Sequence, residues 1–293
     1  MSSFAAALRS GRFLVTAELN PPKGTDLTDM LRKAESLRGW VDAFNLTDSA
    51  SAVMTMSPLG AAYRLVEKGF EPILQITSRD RNRIAVQGDL LAAANLGIHN
   101  LVCMGGDPPG AGDHPEAKPV FDLDTIALIK AVGSLAAGTD MMGKKLNAAA
   151  DLFAGAVCNP GAPDLDKEMA RFEEKIEAGA HFFQTQAVYD LGGFEKFMER
   201  AGKFNVPIIA GFIILKSGDM ARRLNATLPG VSVPESLIAE MDAAEDRSAK
   251  SIEIGGRIVK GLKGACQGVH MMAIGWESRI PPMLEAAGIE RRN

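Results

Sequence analysis

The chain has 293 residues, of which 46% are hydrophobic and 23% charged, and its formal net charge is −4. This composition is typical of a globular protein with a large core. The acidic balance argues against a nucleic-acid partner, which usually requires a basic surface. No apolar run reaches about 18 residues and no signal-peptide h-region is present, so we expect no membrane association. Three cysteines without CxxC spacing favour a reducing compartment, and we expect a cytoplasmic protein.

Short β-branched or aromatic runs alternate with longer helical patterns along the chain. The predicted strands are 13–19, 43–48, 72–78, 100–106, 152–158, 181–188, 207–215 and 269–275. The predicted helices are 26–38, 58–69, 82–96, 122–133, 164–178, 190–202, 217–226 and 246–263. Asp26 before one helix and Gly97 after another are typical capping residues.

These strand–helix repeats predict a parallel sheet that is covered on both faces. An open doubly wound sheet and a closed (β/α)8 TIM-type barrel both satisfy the pattern. We favour the barrel because eight repeats are present and no GxGxxG motif follows the first strand. We therefore expect one α/β domain over residues 1–293, with a long loop at 107–121 and an additional segment at 227–245.

A barrel of this type has its active site at the carboxyl ends of the strands. The polar residues at or just after the predicted ends are Glu18, Asn45, Thr47, Asp48, Gln75, Thr77, Arg79, Asp107, Asn159, Gln184, Gln186, Lys216 and Glu277. The set contains few carboxylates, and the four histidines of the chain show no paired spacing. We therefore expect no metal site.

The motif AELNPPKGTD, residues 17–26, ends the first strand with Glu18 and then breaks it with two prolines. An unpaired carboxylate is costly to bury, so Glu18 must face the mouth of the barrel or be neutralised. Burial would raise its pKa and make it a candidate general acid near neutral pH. The alternative is an ion pair with a neighbouring lysine or arginine, and the motif does not decide between the two.

The motif GGDPPG, residues 105–110, follows the fourth strand. Gly105 and Gly106 would let a flat ligand approach the backbone, and the prolines would make the loop rigid. Asp107 is then a candidate for ligand contact. The alternative is a tight turn in which Asp107 caps its own backbone.

The motif TSRDRNR, residues 77–83, places three arginines before a predicted helix. Arg79 and its neighbours would bind an anion near the helix N-terminus. The alternative is a cluster of ion pairs with Asp80 and Asp89.

The motif QTQAVYD, residues 184–190, alternates polar and apolar residues. Gln184 and Gln186 therefore lie on one face of a strand, where an amide can bind a heterocycle. The alternative is that the glutamines are satisfied within a polar layer of the barrel itself.

Taken together, the motifs resemble one family. AELNPP, the threonine of NLTD, GGDPPG, KIEAGA and QTQAVYD occur in the order found in the methylenetetrahydrofolate reductase family, over roughly residues 13 to 275. The chain is most similar to the short bacterial type that consists of the catalytic domain. The resemblance implies a (β/α)8 barrel that binds FAD non-covalently.

The resemblance also implies roles for individual residues. Glu18 would be the proton donor that opens the five-membered ring of the folate, Asp107 would lie near both flavin and folate, and Gln186 would contact the pterin. The expected flavin contacts, to which we add Arg79 from its motif, are Thr47, Gln75, Arg79, Gly105, Gly106, Asp107, Phe121, Glu168 and Lys175. Better-known members have an arginine where this chain has Gly105 and a histidine where it has Gln75.

The implied reaction is the reduction of 5,10-methylenetetrahydrofolate to 5-methyltetrahydrofolate, or its reverse in one-carbon catabolism. It requires an acid that opens the ring to an iminium ion, a carboxylate that stabilises this cation, and a reduced flavin as hydride donor. NADH or NADPH is the expected electron donor. A homo-oligomer and a complex with a partner reductase subunit both remain open.

Two other functions are compatible with the same residues. A folate- or corrinoid-linked methyltransferase on a similar barrel would share the carboxylates but need no flavin. A non-redox folate-binding subunit of a reductase complex would need neither flavin nor the acid, and the presence of Glu18 argues against it.

Overall fold

In the computed structural model, which describes residues 2–292, eight parallel strands close into a barrel in the order of the sequence. The strands are β1 (Leu14–Leu19), β2 (Ala43–Leu46), β3 (Pro72–Thr77), β4 (Asn100–Met104), β5 (Phe153–Cys158), β6 (Phe182–Ala187), β7 (Ile208–Ile213) and β8 (Gly268–Met272). Pairing of β1 with β8 closes the ring, with Thr16 opposite His270. The predicted (β/α)8 architecture is confirmed.

Helices cover the outside of the barrel. They are α1 (Ser3–Arg9), α2 (Thr28–Ser36), α3 (Pro58–Glu67), α4 (Arg83–Asn95), α5 (Thr125–Ala136), α6 (Leu165–Glu177), α7 (Leu191–Ala201), α8 (Gly218–Thr227), α9 (Glu235–Asp242), α10 (Arg247–Leu262) and α11 (Ile280–Ala286). None of these helices is long and apolar enough to cross a membrane.

Apolar residues form two separate cores because the side chains of a strand alternate between its two faces. The larger core lies between the sheet and the helices and includes Leu74 and Ile76 of β3. The smaller core fills the amino end of the barrel interior and includes Ile73 and Phe182. Helix α1 closes this end, since its Phe4 packs edge-to-face on Phe182 with ring centroids 5.2 Å apart.

Two predicted helix starts were wrong by two or three residues. Helix α2 begins at Thr28, and Asp26 accepts a hydrogen bond from the Thr28 N–H at 2.9 Å without being the capping residue itself. Helix α5 begins at Thr125, because the side chain of Asp124 caps it by accepting from the Ala127 N–H. Gly97 was correctly predicted as a helix end, with φ of +78°.

Three helices, α1, α9 and α11, were not predicted. Helix α9 lies in the segment 227–245 that was expected to be an insertion. Helix α11 packs closely on α10 at Gly255 and Gly256, where an added Cβ would lie 2.5 Å from the Met283 sulfur and 2.6 Å from the Ala286 Cβ. Glycine at these two positions therefore permits the contact between the helices.

Candidate active site

A layer of polar side chains crosses the barrel interior above the apolar amino end. Asn45 and Gln184 form a reciprocal amide pair, with N–O distances of 2.6 and 3.0 Å. The Nε2 of Gln184 also lies 3.5 Å from the Thr16 hydroxyl, and that hydroxyl lies 2.9 Å from the Nδ1 of His270. All four residues are buried. Gln184 is thus satisfied within the barrel's own polar layer, which was the alternative left open for it.

Glu18 lies at the carboxyl end of β1, on the same face as Thr16, and therefore points into the mouth of the barrel. Its side chain is 19% exposed, and its Oε2 lies 3.7 Å from the Nε2 of His270. Within residues 2–292, no lysine or arginine forms an ion pair with Glu18; the charge partner in reach is a histidine. The expected position at the mouth is confirmed, whereas the expected alternative of a Lys or Arg partner is wrong.

Asp107 follows β4 at the same end of the barrel, and its side chain is solvent-accessible. Its Oδ2 accepts a hydrogen bond from the backbone N–H of Ser51 at 3.0 Å. Asp107 therefore links the loop after β4 to the loop after β2, which differs from the alternative of a cap on its own turn. Gly106 precedes it with φ of +90°, and a Cβ there would lie 3.0 Å from the Cβ of Thr77.

The loop after β2 has an unusual backbone. Ser49, Ser51 and Ala52 have φ values of 51°, 54° and 56°, in the left-handed region that non-glycine residues rarely adopt. Several contacts hold this conformation, including the Ser51 N–H bond to Asp107 and a bond from the Met54 N–H to the carboxylate of Asp113. Strain of this kind often occurs at binding sites, and its position beside Asp107 agrees with such a role.

Three further candidate residues, Gln75, Gln186 and Gly105, lie at the mouth. Gln75 is on the inward face of β3 and half-buried, and its amide has no hydrogen bond within the described chain. Gln186 is exposed on the inward face of β6, at an irregularity in the pairing with β7 between Gln184 and Ala187. A Cβ added to Gly105 would meet only the Thr125 hydroxyl, at 4.0 Å.

Thr47 and Phe121 lie beside this group. Thr47 is buried just after β2 and donates to the Asn20 side chain at 2.8 Å. Phe121 has φ of 41° and is 42% exposed, and its backbone N–H donates to the Ser78 carbonyl at the end of β3. The aromatic ring of Phe121 is therefore accessible at the rim.

The arginines of the 77–83 motif are paired with carboxylates. Arg79 is buried and bonds Asp80, with an NH2–Oδ2 distance of 2.6 Å, and these hydrogen bonds hold the pKa of Arg79 above its ordinary value. The same guanidinium donates to the carbonyls of Ser49 and Asp107 at 3.2 and 3.4 Å. Arg81 pairs with Asp48 and Asp89. The ion-pair cluster that was the alternative for this motif is therefore present.

Glu168 and Lys175 lie on α6, away from the centre of the mouth. Glu168 accepts from the backbone N–H of Asn159 at 2.9 Å, just beyond β5. The Nζ of Lys175 donates to the Val157 carbonyl at 2.7 Å, behind the same strand. Burial lowers the pKa of the Lys175 ammonium. Both side chains therefore form hydrogen bonds with the backbone at the carboxyl end of β5.

The structure therefore gathers most of the candidates at one end of the barrel. The residues at this mouth or its rim are Glu18, Thr47, Gln75, Arg79, Gly105, Gly106, Asp107, Phe121 and Gln186. His270 was missed by the sequence analysis, although a histidine inside an apolar strand that pairs with β1 was a detectable signal. The amino end has a groove of about 560 Å³ lined by Arg38, Asp42 and Phe70 among others, but it is separated from the mouth by the barrel core.

Comparison with known proteins agrees with this geometry. The family model described as methylenetetrahydrofolate reductase matches residues 3–288. A 5,10-methylenetetrahydrofolate reductase from Pectobacterium carotovorum is 23% identical over 243 residues, which are 80% of this chain and 75% of that protein. Methylenetetrahydrofolate reductase 2 from Schizosaccharomyces pombe is 25% identical over 234 residues, or 74% of this chain. The match covers only 35% of the yeast protein, so the chain spans about a third of that relative's length.

A solved structure with a similar fold comes from Clostridium thermocellum. It covers 99% of this chain and 100% of its own, with a TM-score of 0.62 and 16% sequence identity. That protein binds two copies of 5-methyl-5,6,7,8-tetrahydrofolic acid. At this level of identity the similarity concerns the fold.

Proposed function

The chain belongs to the methylenetetrahydrofolate reductase family, and we propose that it interconverts 5,10-methylenetetrahydrofolate and 5-methyltetrahydrofolate with FAD as its bound cofactor. The observation that supports this most strongly is the position of Glu18. It is a carboxylate at the mouth of the barrel, 19% exposed, whose Oε2 lies 3.7 Å from the Nε2 of His270. Opening the five-membered ring of the folate requires such an acid within reach of the folate nitrogen.

The residues around the mouth are compatible with the planar ring of a flavin. Gly106 brings the backbone of the β4 loop close to Thr77, and Gly105 leaves free space beside it. The half-buried amide of Gln75 has donors and acceptors to offer to a heterocycle. When bound, the flavin would supply the two-electron chemistry that no side chain of the protein can perform.

The phosphate groups of FAD would need other partners than those first expected. Arg79 is engaged by Asp80, and Lys175 by the Val157 carbonyl. A cavity of about 240 Å³ opens at the rim and is lined by Ser49, Met54, Arg79 and His114 among others. We propose that this cavity, which Asp80 also lines, receives a portion of the cofactor outside its ring, beside Ser49 and His114.

The other roles follow from position and charge. Gln186, exposed on the inward face of β6, would bind the pterin edge, because a primary amide both donates and accepts. Asp107 would stabilise the cation that forms when the ring opens, since its carboxylate is close to the ring site and is held by only one backbone N–H. Glu18 would hold the proton that passes to the folate nitrogen.

Absorbance of the purified protein, followed by anaerobic mixing, tests the proposal. We expect a visible flavin spectrum, either as purified or after addition of FAD, that is bleached by 5-methyltetrahydrofolate. Separate mixing with NADH and NADPH would identify the electron donor. A colourless protein that takes up no FAD would contradict the proposal, and methyl transfer to a corrinoid by such a protein would support the methyltransferase instead.

Assembly and compartment are part of the same proposal. We propose that the protein associates with a second copy or with a partner reductase subunit, because Ile84 on α4 and Met142 in the loop after α5 are each 78% exposed. Light scattering of the purified chain tests the first arrangement. The free thiols of Cys103, Cys158 and Cys266 agree with a cytoplasmic location.

A further inference from the structure

We propose that Asp113 is a positioning residue for Asp107, because it clamps three loops at the mouth of the barrel and so fixes the backbone that holds the Asp107 carboxylate. The inference deepens the function proposed above and rests on it. Asp113 lies in the same loop after β4 as Asp107, and the proposed reaction does not otherwise use it.

The carboxylate of Asp113 contacts three loops. Its Oδ2 forms an ion pair with the Nζ of Lys23, in the loop after β1. Its Oδ1 accepts a hydrogen bond at 2.9 Å from the backbone N–H of Met54, in the loop after β2. The same oxygen lies 2.9 Å from the Nδ1 of His114, in the loop after β4. These bonds, that of Lys23 foremost, hold the pKa of Asp113 well below its ordinary value, so the clamp is charged at neutral pH.

The loops after β2 and β4 also approach each other closely at Gly112. A Cβ added there would overlap with the carbonyl oxygen of Ala52, so any larger residue would push the two loops apart. Ala52 is one of the left-handed residues of the loop after β2, with φ of 56°. The loop after β4 is therefore in direct contact with the strained part of its neighbour.

Asp107 and Asp113 hold this strained part of the loop at two points. The Ser51 N–H donates to Asp107, and the Met54 N–H, a few residues later, donates to Asp113. A strained backbone persists only where its surroundings determine it at several points. Without the Asp113 contact, the loop would relax toward ordinary dihedral angles and the Ser51 N–H would turn away from Asp107. Asp113 therefore acts on the proposed reaction through the orientation of the Asp107 carboxylate.

Amide hydrogen exchange, measured by NMR, tests the clamp without catalysis. Asp113→Ala removes the acceptor of the Met54 N–H and leaves Asp107 in place. We expect the Ser51 amide to exchange about 10-fold faster in this variant, because local opening of the loop becomes easier. Glu253→Gln, which removes an exposed ion pair with Lys250 on α10, is the control and should leave the Ser51 rate unchanged. An unchanged Ser51 rate in Asp113→Ala would overturn the proposal.

A double-mutant cycle then distinguishes positioning from a merely structural role. It uses oxidation of 5-methyltetrahydrofolate by the flavin-loaded protein with a quinone acceptor. Residues of one network are typically coupled by roughly 2- to 100-fold. We expect Asp113→Ala to lower kcat about 10-fold with little change in KM, because the contacts proposed for the pterin are elsewhere.

The second background of the cycle is Asp107→Asn, in which no charge is left to orient. Asp113→Ala should lower kcat there by less than about 2-fold. A loss by the same factor in both backgrounds would mean damage that does not pass through Asp107, and would overturn the proposal. If Asp113→Ala fails to fold, Asp113→Asn replaces it, since the amide keeps the size of the side chain but loses the ion pair with Lys23. The same coupling to Asp107 is expected, and equal losses or none would contradict it.

The outcomes separate this inference from the proposed function. A wild-type protein that binds FAD but oxidises no folate would reject the function itself. The exchange rate of the Ser51 amide would still decide whether Asp113 holds the loop after β2 in place.

Discussion

Asp107 and Ser51 join two loops that are 56 positions apart in the chain, through a hydrogen bond of 3.0 Å from the Ser51 N–H to the carboxylate. The bond keeps the carboxylate beside a loop with three left-handed residues. Asp107 is therefore held in place by a neutral backbone group, and within residues 2–292 its carboxylate forms no ion pair, although the Arg79 guanidinium bonds its backbone carbonyl nearby. A negative charge fixed in this way before substrate arrives is suited to stabilising a positive charge that develops during a reaction.

Asp107→Asn tests that role. The amide has nearly the same shape and can still accept from the Ser51 N–H, but it has no charge. We expect kcat/KM for the folate to fall by about 100-fold or more, the magnitude typical for removal of a preorganised electrostatic contact. Steady-state kinetics with 5-methyltetrahydrofolate checks it, with thermal unfolding as the control for folding. Unchanged kcat/KM would remove Asp107 from the site.

Glu18→Gln removes the proposed acid and leaves the size of the side chain unchanged. General acid–base catalysis typically contributes about 10²- to 10⁴-fold, and we expect a loss of kcat in that range. Flavin binding and reduction of the flavin by NADH or NADPH should be unaffected, since neither needs this proton. Stopped-flow absorbance can follow the two half-reactions separately. Normal folate turnover in the variant would show that another group is the donor.

Gly106→Ala and Gly105→Ala form a matched pair for the β4 loop. Gly106 has φ of +90° and would place its new Cβ 3.0 Å from Thr77, so we expect a loss of about 1–3 kcal/mol in the free energy of unfolding. Gly105 has free space, with its nearest contact at 4.0 Å, and the same change there should cost little or stabilise the protein by up to about 1 kcal/mol. Urea denaturation measures both, and equal losses would contradict the assigned geometry.

Lys175→Met tests whether the buried ammonium of Lys175 makes the free energy of unfolding depend on pH. Burial lowers the pKa of Lys175 below its ordinary 10.5, so the folded protein binds fewer protons than the unfolded chain between the two values. The free energy of unfolding should therefore increase as the pH rises through that interval. The destabilisation caused by burying the charged ammonium is largest at pH values below it. Denaturation of both proteins at several pH values up to about 11 would show this rise only in the wild type. Parallel curves would mean that Lys175 has no altered pKa.

The sequence alone was sufficient to predict the barrel and the end of the barrel at which the polar side chains lie. Strand periodicity placed Glu18 and Gln186 on inward faces, because alternation is a local property of a strand. The contact between Glu18 and His270 was not predictable in the same way. It depends on closure of the ring by β1 and β8, which brings together residues at opposite ends of the sequence.

Helix α1 and the contacts of Arg79 also depend on residues that are distant in the sequence. Nothing in the short apolar pattern of α1 reveals that Phe4 packs on Phe182, which is contributed by β6. The motif left open whether Arg79 binds an anion or pairs with Asp80, because its bonds to the Ser49 and Asp107 carbonyls depend on the conformations of the loops after β2 and β4. Loop conformations that are fixed by long-range contacts leave no periodic signal in a sequence.

The closure of the amino end by α1 has a consequence for proton supply. Phe4 and Leu8 join Phe182 and Ile209 in an apolar plug at this end of the barrel interior. The polar layer above it ends at Asn45, which is itself buried. In the proposed reaction, Glu18 would therefore be reprotonated from the same opening through which substrate enters, and a bound product would delay that step until it departs.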